Sequence, residues 1–170
     1  MKNQITNHKS KIIHLIAACV ILAAFGPPAA EPSRAQGQGR GGPPGDINQT
    51  FIFTGVCDFD VQGTVTGKEG VISLPSGGFI LTAPAVRGTF TNLSDPTKSV
   101  TLNVTGAGHF SFDQNGNTII MLTGRNEAAD LSFGLLLLVG DFTFVYDSNG
   151  NLVQGPTGNG QITSICDLID

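Results

Sequence analysis

Arg125 and Asn126 are the residues of this sequence whose types and placing most invite chemistry. They follow an apolar run, Ile119 to Leu122, and beyond the N-terminal segment the chain holds only three arginines, Arg40, Arg87 and Arg125. A guanidinium at the end of an apolar strand must pair or reach water, because an isolated buried charge is prohibitively costly. Asp141, at the start of the run Asp141-Phe142-Thr143-Phe144, is the expected partner in a structural ion pair. The alternative is a ligand-binding role for Arg125 and Asn126, with the planar fork gripping an anion at a barrel mouth.

Other constellations are weaker. The segments Asp113-Gln114-Asn115-Gly116-Asn117 and Asp147-Ser148-Asn149-Gly150-Asn151 share a pattern that looks like part of a calcium loop. An EF-hand needs a bidentate Glu at its twelfth position, and those positions here are Gly124 and Gly158, so both segments read as hairpin turns. No zinc site is expected, since His109 is the one histidine after the leader and both remaining cysteines are assigned below. His109 has no Gly-x-Ser-x-Gly segment to serve, and by alternation with Phe110 and Phe112 it faces outward. Asp58 and Asp60 stand at i and i+2 on one side of a strand, which is better explained by a solvated face than by a glycosidase pair. Asn48, Asn92 and Asn103 begin Asn-x-Ser/Thr sites that matter only in a glycosylating host. No catalytic set, metal or cofactor follows.

The elements that must hold these residues are strands. An apolar run from Leu131 to Tyr146 places Phe142, Phe144 and Tyr146 on one face, turns at Asp147–Asn151, and returns as a polar, glycine-spaced strand ending at Cys166. Val100, Leu102 and Val104 alternate with Thr101, Asn103 and Thr105 in a half-buried strand, after which Gly106 and Gly108 mark a bulge or bend. Gly67–Gly70 and Pro75–Gly78 read as turns, and Glu127–Asp130 is the one place for a helical turn. The expectation is an all-β domain, an antiparallel up-and-down barrel of roughly 8–10 strands, with a two-sheet β-sandwich as the alternative.

Lys2, Lys9 and Lys11 ahead of the apolar stretch Ile12–Phe25 form a secretion signal, cleaved before Gln36 or, as second choice, after Ala30. Ile16-Ala17-Ala18-Cys19 also fits the residue types of a lipobox, so lipid anchoring through Cys19 is the alternative to secretion. Residues 1–35 are therefore read as signal peptide, 36–46 as a disordered Gly/Pro-rich linker, and 47–170 as the folded domain. From Gln36 onward five basic residues face twelve acids, net −7, which disfavours nucleic acid and anionic membrane as partners. No transmembrane segment remains once the signal is removed. Cys57 and Cys166 are left as an even pair in an oxidising compartment, and a disulfide is expected.

The chain resembles an uncharacterised family of small exported bacterial proteins, chiefly actinobacterial. The residues that carry the resemblance are Cys57-Asp58-Phe59-Asp60-Val61, Lys98–Gly106, Gly124-Arg125-Asn126, Gly140–Val145 and Cys166-Asp167-Leu168. It covers about Phe51 to Asp170 and implies export and an all-β fold with a Cys near each end. It implies no activity.

The functional expectation is an exported, non-enzymatic binding or surface-interaction module, taking a small apolar ligand or a cell-surface partner. The alternative is a small β-barrel enzyme of isomerase or hydrolase type with an apolar cavity reaching Arg125. The cysteines generate a direct test. Closing a loop of roughly 100 residues is worth about 4.7 kcal/mol in the chain-entropy treatment, so Cys57→Ser should lower Tm by about 10 °C or more. An unchanged Tm would mean that the strand ladder holds the fold without the bond.

Overall fold

A computed structural model describes residues 41–170; the expected leader, Cys19 and residues 36–40 lie outside the described residues. Nine strands follow one another: β1 (Gly45–Phe53), β2 (Val61–Ser73), β3 (Phe79–Thr82), β4 (Arg87–Asn92), β5 (Ser99–Asn103), β6 (Ala107–Phe112), β7 (Thr118–Asp130), β8 (Gly134–Tyr146) and β9 (Leu152–Ser164). A single helical turn, α1 (Ile165–Leu168), ends the fold, capped by the Ser164 hydroxyl, which accepts from Asp167 N.

All pairings are antiparallel and form one sheet that is not closed: β1 pairs with β2, and the order continues β5-β4-β2-β3-β6-β7-β8-β9. The connectivity is a meander in which β3 and β4 lie in line along one side of β2, offset by one residue, and β5 and β6 lie in line beside them. The expected barrel is not what forms. First and last strands do not pair, and with Cys57 in the β1–β2 loop and Cys166 in α1 their bond joins flanking segments and not strands. The disulfide itself is present, with Cα atoms 5.7 Å apart.

A line of interruptions crosses the sheet. Gly124, Gly140 and Gly160 face one another on β7, β8 and β9, each with positive φ. Gly106 continues the line, its N–H donating to Arg125 O at 2.8 Å, and Ala83–Val86 and Gly67 carry it to β2. At Gly140 (φ 139°) a Cβ would collide with Asn159 O and Gly160, so the partner backbone lies closer than any side chain permits. The β7–β8 ribbon creases there. A straight strand would hold Phe133 and Phe144 about 36 Å apart at ~3.3 Å per residue, yet their ring centroids are 5.5 Å apart.

The crease explains how one apolar strand feeds two cores. Leu136, Leu138, Phe142, Phe144 and Tyr146 share the concave side and pack with Leu81, Phe110, Ile120 and Leu122. Leu135 and Leu137 point the other way, onto Val61, Val65, Phe90, Ile165 and Ile169. Both faces of the distal ribbon are thus buried, the burial that an unbroken apolar run requires. On the opposite face of β1, β2, β4 and β5, the row Thr50, Thr64, Thr89, Thr101 runs across the strands, with hydroxyls 3.2 Å apart at Thr50–Thr64 and 2.9 Å at Thr89–Thr101.

Several expected boundaries move. Gly67–Gly70 is not a turn: β2 runs through it, and Gly67 is needed because a Cβ would meet Ala85 O. Glu127–Asp130 is strand, since Ala128 and Ala129 pair with Leu136 and Leu135 and are buried on opposite sides. Leu131–Phe133 forms the hairpin turn instead of the start of β8. Phe112 is 57% exposed, so the inward series on β6 stops at Phe110. Paired backbone begins at Gly45, ahead of the expected Ile47.

Gly140→Ala should destabilise by at least about 2–3 kcal/mol, from positive-φ strain and the backbone collision together. Gly42→Ala, where nothing lies within 4 Å, should stay within about 0.5 kcal/mol of the native protein. Equal denaturant midpoints for the two variants would show that the crease does not require glycine.

Candidate functional site

Arg125 and Asn126 stand beside the crease, just past the point where the β6–β7 ladder ends at Ala107 and Thr123. Arg125 is exposed, and its Nε donates to Asn103 O at 3.2 Å. Asn126 Nδ2 donates to Thr123 O at 3.0 Å, and its amide occupies the place a Cβ on Gly106 would take. The Arg125 bond and the approach of Asn126 to Gly106 tie β7 to the end of β5 and the β5–β6 connection, while the Asn126–Thr123 bond stays within β7. No ion pair joins Arg125 to Asp141: the register sets Asp141 against Thr123, and the Gly124–Gly140 crease separates the two side chains.

The space near this segment is of two kinds. A small, partly open pocket of about 20 Å³ lies among Leu81, Val86, Val104, Leu122, Asn126 and Glu127, room for little more than a water molecule, which needs roughly 10–15 Å³ of such space. An open surface depression of about 520 Å³ lies on the outer side of the crease, walled by Pro44, Thr82, Pro84, Thr105 and Thr123. Arg125 lines neither.

The paired turns have the same internal bonding. Asp113 Oδ1 accepts from Asn115 N and Asn117 N at 2.8 and 2.9 Å, and Oδ2 from Asn117 Nδ2 at 2.8 Å. Asp147 repeats this with Asn149 N, Asn151 N and Asn151 Nδ2 at 2.9, 2.8 and 2.9 Å. The carboxylates are consumed by their own turns, with Gly116 and Gly150 supplying the positive φ. The Asn117 backbone bond chiefly holds Asp113 below the ordinary carboxylate range, and the Asn151 side chain chiefly does so for Asp147. Among the described residues no three His, Cys, Asp or Glu side chains gather as a metal site.

Other singled-out residues disperse. Asp58 and Asp60 are exposed in the β1–β2 loop, not on a strand. Asn92 is buried: its Nδ2 donates to Ile169 O at 3.0 Å and its Oδ1 accepts from Ser94 N at 2.8 Å, so it anchors the C-terminus and cannot carry a glycan in the folded chain. Tyr146 is also buried, and burial, followed by the negative charge of Asp130, raises its phenol well above the ordinary value. That coupling places the ribbon's tip beside its base.

Sequence reasoning missed a row on the outer face of the β3-β6-β7-β8 region. Ile72, Ile80, His109, Met121 and Thr143 face one another in register across five strands. Ile119 and Val145 pair in a parallel row two residues away. Met121 is 43% and Ile72 38% exposed, and no charged residue interrupts either row. Met121 lies within the apolar run Ile119 to Leu122, and its alternation with the buried Ile120 and Leu122 was the available signal. No family model matches this chain, and no curated protein or solved structure matches it. Among the described residues no helix is long and apolar enough to cross a membrane, and a disulfide is typical of extracellular proteins.

The turn aspartates fix a sign for pH dependence. A carboxylate whose folded pKa is depressed stabilises the fold above its unfolded value, 3.8, and that contribution disappears as pH falls through the lower folded value. Tm should therefore fall on acidification below about pH 4, and the double variant Asp113→Asn, Asp147→Asn should show a shallower fall. An identical slope in both proteins would remove the turns from the account.

Proposed function

We propose that the chain is an exported, non-enzymatic binding module that meets a partner through the outer face of the β3-β6-β7-β8 region. The observation that carries this reading is the contiguous, uncharged row Ile72–Ile80–His109–Met121 with Ile119 and Val145 beside it, in which Ile72 and Met121 are exposed and the other members half-buried on the face turned away from the core. Exposed apolar patches of this kind mark interaction surfaces in soluble proteins. Export is supported by the disulfide and by the leader pattern of the sequence.

The enzyme alternative calls for an enclosed pocket of ~300–1,000 Å³ reaching Arg125. The pocket of about 20 Å³ and the engagement of Arg125 with Asn103 O favour the binding reading instead.

The test is retention of envelope components from the host on the immobilised chain. Ile80→Lys and Val145→Lys should abolish it while leaving Tm nearly unchanged, because both positions face outward. Retention unaltered by either substitution, or none by the native chain, would contradict the reading, as would turnover of a small ester or ketone that Arg125→Ala abolishes.

A further inference from the structure

The chain has three histidines and two methionines, of which only His109 and Met121 lie beyond residue 14. The fold sets these two directly opposite each other, on β6 and β7, and on the same outward face. Facing residues in an antiparallel ladder stand about 4.5–5.5 Å apart at Cα, a separation from which an imidazole and a thioether can close on one ion. His109 is half-buried and Met121 43% exposed, so the pair is open to solvent on one side. Ile80 lies beyond His109 in the same row and Thr143 beyond Met121, so no carboxylate stands in the row to recruit a hard cation.

We infer that His109 and Met121 form a two-ligand site for a soft monovalent metal ion of the Cu(I) class. The thioether is the discriminating ligand, since soft sulfur donors select Cu(I) over the hard divalent ions that oxygen donors prefer. Imidazole serves as the borderline second ligand, binding through a neutral ring nitrogen. No thiol competes within the folded domain, because Cys57 and Cys166 are bonded to each other. The site does not depend on the binding reading above, as it needs no macromolecular partner and engages residues other than Ile80 and Val145.

The experiment is NMR of the full chain titrated with Ag(I), a redox-inert stand-in, and with Cu(I) under anaerobic conditions. The Met121 methyl signal is assigned through Met121→Leu and the His109 ring signals through His109→Gln. Both sets of signals should move together and saturate one equivalent beyond that taken up by the Cys19 thiol, and either substitution should weaken binding at this site at least tenfold. One equivalent of Zn(II) should leave the Met121 methyl unmoved. A stationary Met121 methyl, shifts of one residue without the other, or an equal response to Zn(II) would overturn the assignment. The native titration decides the matter even if a variant proves unstable.

Discussion

The close approach of four backbones along Gly106, Gly124, Gly140 and Gly160 is the constraint on which the rest of the structure depends. An antiparallel ribbon of thirteen residues per strand is too long to bury both ends against one short sheet. Folding it at a line without side chains brings its tip over its base. Phe133 then meets Phe144, and Asp130 comes near enough to Tyr146 to raise the phenol's pKa. A sheet that curls on itself in this way need not close into a barrel to hide its apolar face.

The packing follows from period-two alternation acting on both sides of the crease. Leu135 and Leu137 belong to one core, Leu136 and Leu138 to the other, so four consecutive leucines are each buried. The C-terminus closes the first core from outside. Ile165 and Ile169 enter it, Asn92 holds Ile169 O, and the Cys57–Cys166 bond fixes α1 to the β1–β2 loop.

Much of this was legible in the sequence. The aromatic alternation at Phe142, Phe144 and Tyr146, the two Asp-x-Asn-Gly-Asn turns, the meander and the cysteine pair all rest on local chemistry or on parity. The crease was not, because an isolated glycine in a strand pattern signals a turn, a bulge or a close approach alike. Gly67 shows the ambiguity: beside Lys68-Glu69-Gly70 it reads as a turn, and only the neighbouring Ala85 backbone gives the reason for it. The glycine row exists only once register across β7, β8 and β9 is known. The same holds for the outer row, whose members Ile72, Ile80, His109 and Met121 are spread over fifty residues of chain. Arg125 was singled out for its charge, whereas its neighbours Gly124 and Gly106 explain the segment's place in the fold.

The central claim is that the β7–β8 ribbon is folded at its glycines and not extended. Its most direct measurement is a nuclear Overhauser experiment on the native chain with selectively labelled phenylalanine. Cross-peaks between the rings of Phe133 and Phe144, whose centroids lie 5.5 Å apart, are expected together with cross-strand peaks between Ala128 and Leu136. An intact Ala128–Leu136 ladder without any Phe133–Phe144 contact would describe a straight ribbon and would contradict the account.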